Sequence, residues 1–255
     1  MAFLDDDFQS YSIGDHLPLG SWTDAGSFTD VIVAGGPSGA TKSLQMDGNA
    51  LYTRGYLSSF TEFVAIRKLV TGNVVAFANG PNLTGHSFTL LSLKVEPDGT
   101  VTATCDASGQ TLGNTKDKWF EFYSWNFLQI NVTFSDVLDP ITMITHVNID
   151  FELALNGVSV LSFNTTTSFD VSQLAAGTSE VNQFFLTSTG AFYANYTLDT
   201  LQPIVSYPHP TSPLNCIVHQ GVIEVIEEPD DSTVWVHQGV IELLIGLGKA
   251  YISES

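Results

Sequence analysis

The strongest constraint on what this chain can fold into is its punctuation. Short stretches rich in Val, Ile, Thr and aromatic residues alternate apolar with polar positions, and turn-forming pairs interrupt them at close intervals. Period-two alternation of this kind folds as strands with one face buried. Two interruptions specify hairpins: Glu96-Pro97-Asp98-Gly99-Thr100, between Leu93-Lys94-Val95 and Val101-Thr102-Ala103, and Asn156-Gly157, a pair suited to the positive φ of a two-residue turn. No segment sustains an apolar period of 3.6. Strands are therefore predicted at about 28–33, 43–47, 61–70, 74–78, 87–96, 100–105, 119–134, 146–155, 158–163, 180–187 and 192–198. Many short strands without helices make the fold class all-β, a two-sheet sandwich.

Near its C-terminus the chain repeats itself. Ile217-Val218-His219-Gln220-Gly221-Val222-Ile223-Glu224-Val225-Ile226 returns 18 residues later as Trp235-Val236-His237-Gln238-Gly239-Val240-Ile241-Glu242-Leu243-Leu244, with seven consecutive identities starting at Val218. Each copy is dense in β-branched residues and lacks Pro, so each is predicted as one strand. The acidic stretch 227–233 between them then forms the turn of a hairpin. A lone two-stranded pair is marginal in water and leaves apolar edges open, so its own domain or another chain must cover it. The expectation is docking on a partner chain, through Val218, Gln220, Val222, Ile223 and Glu224 of the first copy and Trp235, Val236, Gln238, Val240, Ile241 and Glu242 of the second. His219 and His237 recur with the repeat, but each stands alone among apolar neighbours, and both are read as structural.

A chain of 255 residues with 44% apolar content can bury a large core. Its 27 acidic against 8 basic residues give a formal net charge of −19, which repels phosphate backbones and anionic lipid. Nucleic-acid binding and membrane insertion are therefore not expected, and no apolar run reaches the length of a bilayer span. The opening Met1-Ala2-Phe3-Leu4-Asp5-Asp6-Asp7 has neither the basic nor the apolar region of a secretory signal, so synthesis in a cytosol is expected. Cys105 and Cys216 lack the spacing of a zinc or redox site and are read as free buried thiols.

After Asp199 the composition changes. Pro203, Pro208, Pro210 and Pro213 favour extended geometry and bar a central strand. This divides the chain into a globular unit at 1–203, a Pro-rich linker at 204–213 and the repeat segment at 214–255.

Three fragments resemble one fold family. Leu4-Asp5-Asp6-Asp7-Phe8-Gln9-Ser10-Tyr11-Ser12-Ile13-Gly14-Asp15, with Pro18 and Gly20-Ser21-Trp22, resembles the first strand of concanavalin A-like lectin and glucanase jelly rolls. Leu93 to Val101, Leu112-Gly113-Asn114-Thr115, Trp119-Phe120-Glu121-Phe122 and Val147 to Gly157 resemble their laminin-G-like members, and Tyr196 to Leu201 sits where such domains return their last strand beside the first. The resemblance implies a jelly-roll sandwich over most of residues 4 to 201 and specifies fold rather than activity. The tandem repeat is similar to the form Arg-Val-Thr-Gln-x-x-Val-Glu-Val-Leu that closes many bacteriophage structural proteins, with His for Thr, and Ile217 and Trp235 where that form has Arg. What this implies is a non-enzymatic virion component on the particle exterior, part of a tail, baseplate or head fibre. It would be anchored to other virion proteins by its C-terminal strands and homo-oligomeric in the assembly. The alternative is a carbohydrate-binding module that adheres to a host-surface glycan.

The chemistry legible in the chain is sparse. A glucanase of this fold is expected to carry Glu-x-Asp-x-x-Glu on one strand face; Asp150-Phe151-Glu152 comes nearest, without a third carboxylate, so no catalytic residues are assigned. Calcium is the one cofactor considered, on Asp5 and Asp7 near the first strand and Asp199 on the last, since hard cations take oxygen ligands. Sugar binding needs exposed aromatic rings with polar edges. Trp22, Trp119, Trp125, Tyr52, Tyr56 and Tyr123 are available, but the run Trp119-Phe120-Glu121-Phe122-Tyr123-Ser124-Trp125 alternates as a core strand does, and most of these rings are expected to be buried.

Overall fold

The computed structural model describes residues 2–25, 30–37, 42–175, 177–187 and 189–204, together with the backbone of four short strands between 216 and 242. The chain divides into two compact units, Met1–Ser206 and Tyr207–Ser255.

The first unit begins with β1 (Leu4–Asp6), β2 (Trp22–Asp24), β3 (Val31–Ala34), β4 (Lys42–Met46) and β5 (Asn49–Leu57). It continues through β6 (Ser59–Lys68), β7 (Gly72–Asn79), β8 (Phe88–Val95), β9 (Val101–Cys105) and β10 (Gln110–Asn114). The last five strands are β11 (Asn126–Leu138), β12 (Thr145–Leu155), β13 (Val158–Asp170), β14 (Val181–Thr187) and β15 (Ala191–Asp199). The helical content among the described residues is a single 3-10 turn, Val171–Gln173, capped by the Asp170 carboxylate, which accepts the Ser172 amide at 2.8 Å. No helix among them is long and apolar enough to cross a membrane.

These strands form two antiparallel sheets packed as a jelly-roll sandwich. The larger runs β13-β12-β11-β6-β15-β4-β3, with β1 also paired to β15; the smaller runs β10-β9-β8-β7-β14-β5-β2. Alternate residues of each strand meet between the sheets. Phe60 from the larger sheet meets Phe77 and Phe184 from the smaller edge-on, at 5.0 and 5.1 Å between ring centres, and all three are fully buried. Both predicted hairpin turns are present. Gly99 (φ 85) closes the first through its amide on the Glu96 carbonyl at 3.0 Å; a side chain there would also meet the Phe120 carbonyl oxygen. Asn156 and Gly157 carry the paired positive φ values, 51° and 81°, of the second. Cys105 is buried and free.

The alternation alone left four strands unread, β1, β2, β5 and β10, of which β1 lies in the segment Leu4 to Asp15 that resembles a first jelly-roll strand. Three of them are short, and β5 is longer but interrupts its alternation with Arg54 and Gly55 and pairs with β14 across a register shift. The predicted strand at 119–134 starts only at Asn126 and runs on to Leu138.

In the second unit the repeat departs from its expected pairing. Each copy is a hairpin in itself rather than one strand of a shared hairpin. In the first, β16 (Cys216–His219) pairs with β17 (Val222–Val225), setting Val218 opposite Ile223 and Ile217 opposite Glu224. In the second, β18 (Trp235–His237) pairs with β19 (Val240–Glu242), setting Val236 opposite Ile241 and Trp235 opposite Glu242. Two residues, Gln-Gly, separate the partners His219 and Val222, and again His237 and Val240; a dipeptide ending in Gly between β-branched runs is itself a hairpin signal. Of the residues expected to bind a partner, Gln220 and Gln238 lie outside the described residues.

Candidate functional site

One end of the outer face of the larger sheet gathers aromatic rings around an arginine. The residues between β10 and β11 do not continue the sheet, and Asn126 shows why. Fully buried at the start of β11, it accepts the Glu121 amide at 3.1 Å and donates to the Glu121 and Ser124 carbonyls at 2.8 and 3.1 Å. These bonds curl 121–125 into a tight loop, and the Tyr123 amide fastens it to the Lys68 carbonyl at the end of β6 at 2.9 Å. Phe120 turns inward and is buried. Tyr123, held in the left-handed region at φ 67, is 71% exposed. The expectation of a buried aromatic run therefore fails at Tyr123, because side-chain hydrogen bonds, not strand pleating, set which way these rings face.

Past the loop, register takes over. Phe127 pairs with Ala65 of β6 and points outward, 47% exposed beside a residue too small to cover it. Its amide donates to Asn156 Oδ1 at 2.8 Å, which ties the position to the β12–β13 turn. Arg67 stands opposite Phe192 of β15, with its guanidinium carbon 4.4 Å from the Phe192 ring centre and 5.6 Å from that of Trp125. A guanidinium so placed is held by cation–π attraction. Arg67 Nε is buried and has no hydrogen-bond partner.

The other end of the same face is polar and acidic. Register lines up Ser162, Glu152, Asn131, Thr61 and Asp199 across five strands. Residues 201–203 lie over this row: the Gln202 amide donates to Thr61 Oγ1 at 2.7 Å, Asn131 Nδ2 to the Gln202 carbonyl at 2.7 Å, and Gln129 Nε2 to the Pro203 carbonyl at 3.1 Å. Asn131, Thr133, Asp150, Glu152 and Leu201 then line a shallow groove of about 130 Å³. Asp150 is exposed, and Glu152 accepts the Ser159 hydroxyl at 3.0 Å. The two carboxylates do share a face, but they stand side by side on one strand over a groove smaller than a sugar-sized pocket.

Two further clefts lie elsewhere. Asn82, Leu83, Thr84, His86, Phe88 and the turn 172–175 enclose about 400 Å³. Asp5, Asp6, Asp7, Ser10, Tyr11, Gly20 and Ser21 border about 360 Å³ near β1. In the second cleft the integrated acid is Asp6: its carboxylate accepts the Phe8 amide at 2.9 Å, the Tyr11 hydroxyl at 2.8 Å and the Trp22 indole at 3.2 Å. Burial first, and then the hydrogen bond to Asp6, push the Tyr11 phenol well above its usual range.

Of the expected calcium ligands, Asp5 and Asp7 border the cleft near β1, and Asp199 is not among the residues that line it. Asp5 accepts the Thr197 hydroxyl at 3.0 Å, Asp7 the Gln9 amide at 2.9 Å and Asp199 the Thr200 amide at 2.7 Å. Each carboxylate takes a protein donor, and among the described residues no three of His, Cys, Asp or Glu converge as a metal requires. These residues do not fit the ion.

No protein-family model matches the chain, and no curated protein sequence does. Among solved structures it is similar to a carbohydrate-binding module from Bacillus subtilis, with 12% identity over 72% of this chain and 98% of that one, at a TM-score of 0.43. It is also similar to a Trypanosoma rangeli sialidase in complex with sialic acid, with 11% identity over 75% of this chain and 30% of that one, at 0.45. A third likeness is to a structure of endo-acting O-glycanases from the human gut microbiota, with 13% identity over 79% and 100%, at 0.44. None of these likenesses is strong enough to carry a ligand or an activity across.

Proposed function

We propose that the β-sandwich is a non-catalytic glycan-binding module whose sugar-contacting surface is the aromatic end of the larger sheet's outer face. The observation that carries this reading is the exposure of Tyr123 and Phe127, from the 121–125 loop and the start of β11, at the end of the sheet where Trp125 meets Arg67. Sugars present C–H faces that pack on aromatic rings and hydroxyls that need polar edges, and this end of the sheet offers both. The two carboxylates at the far end serve no bond-breaking role in this reading. A carbohydrate array probed with the full chain tests it: retention on a defined set of glycans is expected, with about tenfold weaker binding for Phe127→Ala or Trp125→Ala, on the scale of 1.4 kcal/mol for a lost ring contact. A wild-type chain that binds no glycan sinks it.

The duplicated hairpins favour a second role for the C-terminal unit. Strands of three and four residues are too short to stand alone in water, and two near-identical copies suit repeated docking on one partner surface. In this reading the unit anchors the sandwich to the exterior of a larger assembly such as a virus particle. Deleting residues 214–255 is expected to leave glycan binding intact and to abolish incorporation; normal incorporation of the truncated chain refutes the anchor.

A further inference from the structure

Arg67 is one of 8 basic residues in a chain with 27 acidic ones. Among the described residues it makes neither an ion pair nor a hydrogen bond; its contacts are the rings of Phe192 and Trp125. The cost is real. A charged donor with a buried, unmet N–H is destabilising by roughly 1–3 kcal/mol or more. We infer that Arg67 is the anion-recognising element of the glycan site proposed above, fitted to the carboxylate of an acidic sugar. This rests on that reading and narrows it.

Geometry favours a carboxylate. The Phe192 and Trp125 rings and the burial of Nε close one side of the guanidinium, whereas its two terminal Nη groups are not among the buried unpartnered atoms, and their end-on fork is the one that can match two carboxylate oxygens. A uronic acid carries its carboxylate at the rim of the ring. One sugar can therefore rest a face on Trp125 or Phe127 while its carboxylate reaches the arginine. The net charge of −19 opposes a polyanion at long range, and the exposed Glu121 belongs to the loop that carries Trp125, so recognition here rests on the short-range pair with Arg67; the acidic row lies farther off. Glu152 lies in the row of Thr61, six residues along β6 from Arg67, or about 20 Å at strand rise. That is roughly two Debye lengths at physiological ionic strength, so the acidic end does not cancel the arginine.

The test uses the full chain and immobilised polygalacturonate, alginate and hyaluronan, with methyl-esterified polygalacturonate as the same backbone without its charge and dextran sulfate as a non-carboxylate anion. Binding to at least one uronate polymer is expected, with roughly tenfold weaker binding to its uncharged ester, the loss that goes with one charge-assisted pair. Arg67→Gln is expected to lose the preference for acid over ester, and Arg67→Lys to recover part of it. Arg54→Gln serves as the control: Arg54 also stacks on a ring, that of Phe3, and also has a buried unpartnered Nε, but it belongs to the other sheet, away from Trp125 and Phe127, and it should bind as wild type. The ester comparison uses unmodified protein and so holds even where a variant misfolds. Equal binding to acid and ester, an Arg67→Gln variant that keeps the preference, or binding confined to dextran sulfate overturns the carboxylate assignment and leaves glycan binding standing. No binding to any glycan overturns both.

Discussion

The two faces of β6 treat charge in opposite ways. Inward, Glu62 and Lys68 sit fully buried in line with Phe60, Val64 and Ile66, and each is hydrogen-bonded to the protein: Glu62 accepts the Tyr196 hydroxyl at 3.0 Å, and Lys68 Nζ donates to the Asn73 carbonyl at 3.1 Å. Outward, Arg67 is left to two aromatic rings. The inward groups are held by hydrogen bonds to the protein, whereas the outward Arg67 is held by ring contacts alone and keeps hydrogen-bonding capacity for recognition. The inner face should therefore govern stability and the outer face binding. The hardest test of that division is Phe60→Ala, which empties the junction of Phe77, Phe134 and Phe184. A loss of about 3–5 kcal/mol is expected, read as a lowered urea midpoint with unchanged slope. A loss below about 1 kcal/mol would mean the sandwich is not packed around this ring.

Glu62 gives the next largest effect, and a directional one. Burial pushes its carboxyl up from the usual 4.5 to about 8, against the lowering influence of the Tyr196 hydrogen bond, and its Oε1 has no partner. Between those values the folded chain holds a proton that the unfolded chain has released. Stability is therefore full below about 4.5 and falls as pH rises toward about 8, with a slope on the order of 1.4 kcal/mol per pH unit from this group. Urea titrations across that window should show wild type losing stability relative to Glu62→Gln, which mimics the neutral acid. Parallel curves for the two proteins would show that the glutamate does not hold its proton in the fold.

What could be read in the sequence was what neighbours in the chain decide. Pro97-Asp98-Gly99 and Asn156-Gly157 announced their hairpins because the φ values they must adopt are a property of those residues alone. The repeat was misread for a related reason: its density of Val and Ile masked the Gln-Gly at the centre of each copy, and one long strand was inferred where two short ones pair. The aromatic site was hidden more deeply. Alternation through Trp119 to Trp125 mimics a core strand, and only the triple hydrogen bonding of Asn126 turns Tyr123 out. Nothing local to Arg67 names Phe192 as its neighbour, 125 residues away, because that contact exists only once β6 and β15 are in register. The calcium expectation failed on the same ground. Asp5 lies opposite Thr197, and each acid finds a donor in its own neighbourhood before it can meet the others.

The smallest stability effect separates the two faces most sharply. Tyr123 holds a left-handed backbone at φ 67 with its ring 71% exposed. That conformation costs a non-glycine residue roughly 1–2 kcal/mol, and so exposed a ring regains little of this by burial. Glycine adopts the conformation without the steric cost but loses more entropy on folding, by roughly 0.5–1 kcal/mol. The difference leaves Tyr123→Gly between neutral and about 1.5 kcal/mol more stable. Folding alone therefore gives no reason for a tyrosine at this position, while sugar contact does. Thermal unfolding of Tyr123→Gly should match or exceed that of wild type as glycan binding falls several-fold. If the variant instead unfolds more easily and binds as wild type does, the ring is a structural prop and the recognition surface must be sought in Trp125, Phe127 and Arg67 without it.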